Sequence, residues 1–332
     1  MEHRSAHLMR AARYLTAGPR RGQLEIVERE RPVPGPGEVL VRVRVSGVNP
    51  TDWKARSGLR GTAAGFAEVI PNQDGAGEVE GVGEGVDPGR IGERVWLYDA
   101  QWERAHGTAA QWIALPSEQA VTLPPGTPLD VGAGLGIPAM TAHWSLFADG
   151  DLAGETVLVQ GGAGAVGQAA IQLARRAGAR VVATVSSARK AEIARSAGAD
   201  LVVNYLEEDV AARVLGLAPH GVRRVVEVAL DANLEVDAAV VADGGTISTY
   251  GVVAFSPALP RSLWVRNATL RFVLVYTVPT AAKRSAVADI TAALRAGALA
   301  PLPPIRFPLD EIGAAHDAVE DGAVGKVLVD IP

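Results

Sequence analysis

Cysteine is absent from all 332 residues, which excludes disulfide frameworks, thiolate zinc sites, iron–sulfur clusters and a cysteine nucleophile. Aromatic residues make up only 5% of the chain. No apolar run approaches the roughly 18 residues that suggest a membrane span. Basic charge is not in excess either: 32 Lys and Arg face 37 Asp and Glu, a net of −5. No basic stretch could supply the phosphate contacts that dominate nucleic-acid binding. The opening MEHRSAHLMR lacks the apolar core of a signal peptide. The expectation is a cytoplasmic protein with neither a nucleic-acid nor a membrane partner, whose residues 1–8 are an extension. The six histidines, His3, His7, His106, His143, His220 and His316, are scattered and read as surface or core residues, so no metal site is expected. What is present is 48% hydrophobic residues on a length that suits two domains, each able to bury its own core.

The first 130 residues read as β structure. Val39–Val45 alternates apolar and basic residues, the period of a half-buried strand. Shorter runs at Gly77–Val82, Arg94–Tyr98 and Ala109–Leu115 are separated by Gly- and Pro-rich turns, the pattern of a small barrel. From about Pro138 the rhythm changes to apolar strands alternating with helices, which predicts a parallel sheet covered on both faces. The expected strands are Thr156–Gln160, Arg180–Val185, Asp200–Tyr205, Arg223–Leu230, Gly245–Gly251 and Leu270–Thr277. The expected helices include Val166–Ala177 and Ala188–Ala197, each closed by a glycine, Gly178 and Gly198. A helix near Thr280–Ala296 and a last strand, Lys326–Ile331, would return to the first domain. The fold class expected is thus α/β, a doubly wound Rossmann sheet plus a β-barrel domain. Its ranges are 9–132 with 279–332 for the barrel and 133–278 for the Rossmann domain.

Gly162-Ala163-Gly164-Ala165-Val166-Gly167 satisfies G-x-G-x-x-G directly after an expected strand and at the start of an expected helix. In that setting the first glycine would make the tight turn and the second would let the backbone approach a pyrophosphate. The third would allow close helix–sheet packing, and the helix N-terminus would face the phosphates. An NAD site usually carries Asp or Glu about 20 residues on, for the ribose 2′-hydroxyl. Here the segment reads Ser186-Ser187-Ala188-Arg189-Lys190, with no acid before Glu192. Two hydroxyls and two cations suit a 2′-phosphate through charge-assisted hydrogen bonds; the alternative is a solvated first helical turn. NADPH is the expected cofactor.

With these elements in place the chain resembles the zinc-independent, zeta-crystallin-like quinone oxidoreductases of the medium-chain dehydrogenase/reductase superfamily. The resemblance rests on Gly47-Val48-Asn49-Pro50-Thr51-Asp52 with Arg56-Ser57-Gly58, the Gly161–Gly167 loop, Asn204–Asp209, and Gly325-Lys326-Val327. It implies a GroES-like barrel joined to a Rossmann domain, with the active site between them, and a homodimer extended through Leu270–Val275. It also implies that Ala163–Val166 lie under the pyrophosphate, and that Ser186, Lys190 and Tyr205 hold the 2′-phosphate and adenosine end. Asn233, Tyr250, Gly251 and Val252 would line the nicotinamide half, with Val273 and Val275 beside them. Thr141 and Lys326 join the cofactor set, and Asn49 is placed near the nicotinamide ribose and substrate.

Two departures inform the chemistry. Zinc-dependent relatives carry Gly-His-Glu where this chain has Asn72-Gln73-Asp74-Gly75, which implies that no zinc polarises the substrate. Lys54 stands where many quinone oxidoreductases have tyrosine. It would bind the ribose or stabilise enolate charge, or be a solvated barrel lysine. The function expected is an NADPH-dependent reductase passing hydride to a small molecule, a quinone or an activated alkene or enone. The alternatives are an enoyl-thioester reductase of lipid or polyketide type, and an NADPH-binding protein without turnover.

Overall fold

The computed structural model describes residues 8–18, 20–59, 65–251 and 258–332. They divide into two compact units, residues 1–137 with 302–332 and residues 138–301.

The first unit opens with β1 (Leu8–Leu15) and β2 (Glu25–Glu30), then β3 (Glu38–Gly47), α1 (Pro50–Arg56), β4 (Glu68–Val69) and β5 (Asp74–Val82). It continues with β6 (Arg94–Leu97), β7 (Trp112–Pro116), β8 (Ala120–Thr122) and α2 (Leu129–Ala133). Leu8, expected in the extension, belongs to β1 and pairs with Glu30, because Met9, Ala11 and Ala12 are core residues that carry their neighbour into the sheet. β3 organises the unit. Its alternating apolar residues Val39, Val41 and Val43 are fully buried, as the period-two pattern requires. One edge pairs with β5 along its length. The other pairs with β7 over Glu38–Arg42 and, further along, with the chain's last strand.

The second unit contains α3 (Gly136–Phe147), which straddles the division, β9 (Thr156–Val159), α4 (Ala165–Arg176), β10 (Arg180–Val185), α5 (Ala188–Ser196) and β11 (Leu201–Asn204). Then come α6 (Val210–Leu217), β12 (Val222–Glu227), α7 (Leu230–Val240), β13 (Val241–Thr249), α8 (Arg261–Val265), β14 (Thr269–Phe272) and α9 (Thr280–Arg295). The strands form one parallel sheet in the order β11-β10-β9-β12-β13-β14. That is the doubly wound order 3-2-1-4-5-6 with its switch point between the first and fourth strands. β9 and the apolar run of β10 are fully buried, as expected of parallel strands covered on both faces. Gly178 and Gly198 adopt φ of +81° and +104° at the ends of α4 and α5, the left-handed conformation that favours glycine there.

The chain returns to the first unit with β15 (Pro304–Pro308), α10 (Ile312–Glu320) and β16 (Lys326–Asp330). The seven-stranded sheet runs β15-β16-β3-β5-β6-β8, with β7 on β3. Two expectations differ. Helix α9 falls in the second unit, not the first: His143 Nε2 lies 2.8 Å from Asp289 Oδ2, and Gln172 bonds both peptide groups of Ala300. The strand expected over Leu270–Thr277 stops at Phe272 and becomes a 3₁₀ turn at Val275–Thr277. There the backbone bonds locally, Thr277 N to Leu274 O and Val278 N to Val275 O, instead of to a neighbouring strand.

Candidate functional site

In the second unit the glycine loop lies between β9 and α4. The left-handed turn is made by Gly161 (φ +70°), one residue before the motif glycine expected to make it. Gly162 is required for a different reason: a Cβ there would stand 2.8 Å from the Ala183 Cβ of β10. At Gly167 a Cβ would meet the Gly161 carbonyl oxygen at 2.3 Å, so helix and loop approach too closely for any side chain. Gly164 is the open position, its nearest neighbour at 3.4 Å. It caps α4 without a side chain, and no acid stands in the first turn. The loop therefore presents Ala163, Gly164, Ala165 and Val166 backbone at a helix N-terminus, the arrangement that favours an anion.

Ser186 follows β10, and Lys190 Nζ donates to Ser186 Oγ at 3.0 Å. Ser187 caps α5 by accepting from Lys190 N, which fixes Lys190 on the first turn. Tyr205 follows the neighbouring strand β11, its backbone N bonded to Val185 O and its ring half exposed. Adjacent strands thus bring Ser186, Lys190 and Tyr205 to one end of the sheet. Arg189 is exposed beside them. Tyr250 and Gly251 (φ +78°) follow β13, Val273 N bonds Thr249 O, and Asn233 lies on α7. Thr141 is buried on α3 and Val275 in the 3₁₀ turn. Val252 lies outside the described residues.

In the first unit Asn49 precedes α1 and is buried. Its Nδ2 donates to Asp74 Oδ2 at 2.8 Å and its Oδ1 accepts from Lys326 Nζ at 2.8 Å. Lys326 Nζ also donates to Val48 O and stands 3.9 Å from Asp74 Oδ2. Ile137 N donates to both Asp74 oxygens, and Asp52 Oδ2 accepts from Asn49 N at 2.7 Å. Burial raises the Asp52 carboxyl to about 8, helped by Asp74. Burial raises Asp74 only to about 6, because the Lys326 ammonium opposes it. Burial lowers Lys326, against the pull of Asp74 and Asp52. Burial therefore favours the protonated form at Asp52 more than at Asp74, which faces Lys326 across the Asn49 amide. Lys54 is half-buried on α1 with its ammonium 5.6 Å from the Trp53 ring centroid.

Asp74 lies where the zinc motif would stand, and the residues there do not fit a zinc ion. Asn72 and Gln73 spend their amides on Ser46, His316 and Gln101, and Asp74 is tied to a lysine ammonium. Among the described residues no three His, Asp or Glu side chains gather in a metal-holding group. Sequence reasoning singled out Asn49 and Lys326 but missed their partners Asp52 and Asp74. The signal was present: an acid at the start of a glycine-rich apolar strand has to find a partner when buried.

Two family descriptions match consecutive parts of the chain: "Alcohol dehydrogenase GroES-like domain" over residues 35–125 and "Zinc-binding dehydrogenase" over residues 165–292. The chain belongs to the medium-chain dehydrogenase/reductase superfamily. It is 28% identical over 302 residues to quinone oxidoreductase of Sus scrofa, covering 90% of each chain. Its fold matches that of a mycobacterial protein solved in complex with NADPH: TM-score 0.84, 29% identity, 98% of this chain and 100% of that one. A quinone oxidoreductase of Pseudomonas syringae pv. tomato gives a TM-score of 0.85 at 26% identity, with 98% and 100% covered. The first unit is the superfamily's GroES-like domain and the second its Rossmann domain.

Proposed function

We propose that this chain is an NADPH-dependent, zinc-independent reductase that delivers hydride to a quinone or an activated alkene or enone. The observation that carries this reading is the Asp74–Asn49–Lys326 network, a buried ion pair built where zinc-dependent relatives hold metal. Without a Lewis acid a simple ketone lacks polarisation, whereas a quinone or conjugated carbonyl is already electron-poor. Bound NADPH would supply the hydride.

The residues each have a part in that reading. Lys190 and Ser186, with Tyr205 and exposed Arg189 beside them, would hold the 2′-phosphate; like the loop N–H groups on the pyrophosphate, they act through charge-assisted bonds. Gly162, Gly164 and Gly167 keep the loop low enough for that approach. Tyr250, Gly251 and Asn233 would line the nicotinamide half, with Thr141, Val273 and Val275 alongside. Asn49 is held rigid by Asp74 and Lys326, and Lys54 would stabilise developing enolate charge. Support for NADPH over NADH comes from the hydroxyls and cations at the end of β10, where an NAD site usually carries an acid, and from the relative solved with NADPH.

We extend the proposal to a homodimer. β14 is an edge strand of the sheet, and Trp264, Phe272 and Leu274 around it are exposed, a combination that invites pairing with a second copy. Light scattering at twice the 34.5 kDa chain mass, lost in Phe272→Glu, tests it; a monomeric wild type would remove it. The functional test is turnover of NADPH against NADH on EDTA-treated protein. Binding of NADPH with no turnover of quinone, enone or enoyl thioester would leave a binding protein.

A further inference from the structure

One buried group in the Rossmann unit has no part in the reading so far. Glu227 ends β12 and Asp237 lies on α7; both are fully buried, with their carboxyl groups close enough to act on each other. Glu227 accepts from Ala229 N and from Asn233 Nδ2, the latter at 3.1 Å to each oxygen. Asp237 Oδ1 accepts from Gln160 Nε2 at 2.8 Å, while its Oδ2 receives no N–H or hydroxyl donor. Among the described residues no Arg, Lys or His bonds to Asp237. Two carboxylates facing each other without a cation cannot both ionise. The donor pattern locates the retained proton. Glu227, already fed by peptide and amide N–H groups, is the carboxylate, and Asp237 is the acid whose Oδ2–H donates to it. Burial, then the nearness of Glu227, pushes Asp237 well above the usual carboxylate range.

From Asp237 a chain of hydrogen bonds reaches the glycine loop. Gln160 gives its N–H to Asp237, so its Oε1 is the acceptor for Thr184 Oγ1 at 2.6 Å. Thr184 Oγ1, its hydrogen thus committed, accepts from Gly161 N at 3.2 Å. Gly161 is the left-handed residue that sets the loop. On the other side a carboxylate can only accept, so Asn233 must turn its Nδ2 to Glu227 and present its Oδ1.

We propose that Glu227 and Asp237 are a proton-sharing pair of positioning residues that set the dinucleotide loop through Gln160 and Thr184, and Asn233 through Glu227, so that dinucleotide affinity depends on the pair keeping one proton. The inference rests on reading the loop as a dinucleotide site. Loss of the proton leaves two facing anions, whose separation breaks the bonds leading to Gly161. The titratable groups facing the pair are its own two carboxyls and Tyr250 just after β13; β9, β10 and α7 bring the uncharged Gln160, Thr184 and Asn233.

The test is NADPH affinity from pH 7 to 10, by nucleotide fluorescence, in wild type, Asp237→Asn and Asp237→Leu. In wild type Kd rises with pH, by up to about tenfold per unit once the pair titrates. Asp237→Asn, whose amide donates to Glu227 and accepts from Gln160 at every pH, removes that rise. Any pH dependence that arises outside the pair is common to both proteins and cancels in the comparison. Asp237→Leu binds weakly throughout. Infrared spectra supply a readout free of the cofactor: at pH 7 the difference between wild type and Asp237→Asn shows the loss of one buried carboxylic-acid carbonyl component, separate from any contributed by Asp52. Identical pH profiles in wild type and Asp237→Asn, or a band unchanged by the substitution, overturn the proposal. A wild type that binds no dinucleotide at any pH removes the cofactor reading and the positioning role with it, while the band still decides the shared proton.

Discussion

Replacing Gly164 and Gly167 by alanine separates the fold's demand for glycine from the ligand's. At Gly167 the new Cβ would lie 2.3 Å from Gly161 O and 3.0 Å from both Gly161 C and Gly162 Cα. Ordinary carbon contacts need roughly 3.5 Å, so helix and loop have to part by about 1 Å. Overpacking of that kind costs about 1–3 kcal/mol. For a unit of this size the loss corresponds to a Tm lower by about 3–10 °C. The parting also withdraws N–H groups from the pyrophosphate. At about 1.5–3 kcal/mol per charged hydrogen bond, NADPH binding weakens by at least about tenfold. At Gly164 the Cβ meets only Gly161 O at 3.4 Å, and φ of −80° suits any residue. The entropy gain of about 0.4–1 kcal/mol is offset by a similar loss of N-cap preference. Tm then stays within about 2 °C, while the methyl group occupies the approach of the pyrophosphate and Kd rises about tenfold or more. The assay pairs fluorescence titration of NADPH with thermal unfolding. Wild-type affinity in Gly164→Ala refutes the placement of the pyrophosphate; an unchanged Tm in Gly167→Ala refutes the steric argument.

Three further outcomes follow from the side chains. Lys190→Ala raises Kd for NADPH by about 10–100-fold, the worth of a charged hydrogen bond, and leaves NADH within about twofold; equal losses for both would place Lys190 away from the 2′-phosphate. Lys326→Met strands the Asp74 carboxylate in the core and destabilises the chain by about 3–5 kcal/mol; adding Asp74→Asn recovers part of it in denaturant unfolding, and no recovery would contradict the pairing. Asp52 is raised from 3.8 to about 8 in the folded chain, so its contribution to stability is full below pH 4 and is lost as pH rises through 8. Asp52→Asn, which still accepts from Asn49 N, is therefore less sensitive to pH than wild type between pH 4 and 8; parallel stability curves would show that Asp52 does not hold its proton.

The Rossmann half was the more legible in the sequence. Its apolar strands, the glycines closing its helices and the loop after β9 are set by local constraints: parallel burial, left-handed φ and steric exclusion at Gly162 and Gly167. Even so, the left-handed turn lay at Gly161, because the motif spacing records which positions exclude a Cβ, not which of them carries positive φ. Leu270–Thr277 is mostly apolar and reads as one strand, yet after Phe272 the backbone turns onto itself through Thr277 N to Leu274 O. Helix α9 was placed in the wrong half of the chain's division because only a tertiary contact, Asp289 with His143, decides where it packs. The same limit hid the acids. Asp74 acquires its chemistry from Asn49, Ile137 and Lys326, and Asp237 from Gln160 and Glu227, partners distant in sequence or on another element that no local spacing marks. Asn49 stood out through its motif, but that both ends of its amide are engaged by Asp74 and Lys326 is a property of the folded barrel alone.

The central claim is a hydride transfer from NADPH that needs no metal. The most direct measurement is the oxidation of NADPH, followed by its absorbance, on EDTA-treated protein with a quinone and with an enone, and with NADH as the parallel donor. The account predicts turnover that survives the chelator and is faster with NADPH than with NADH. Activity that disappears with EDTA and returns with zinc, or a preference for NADH, would contradict it.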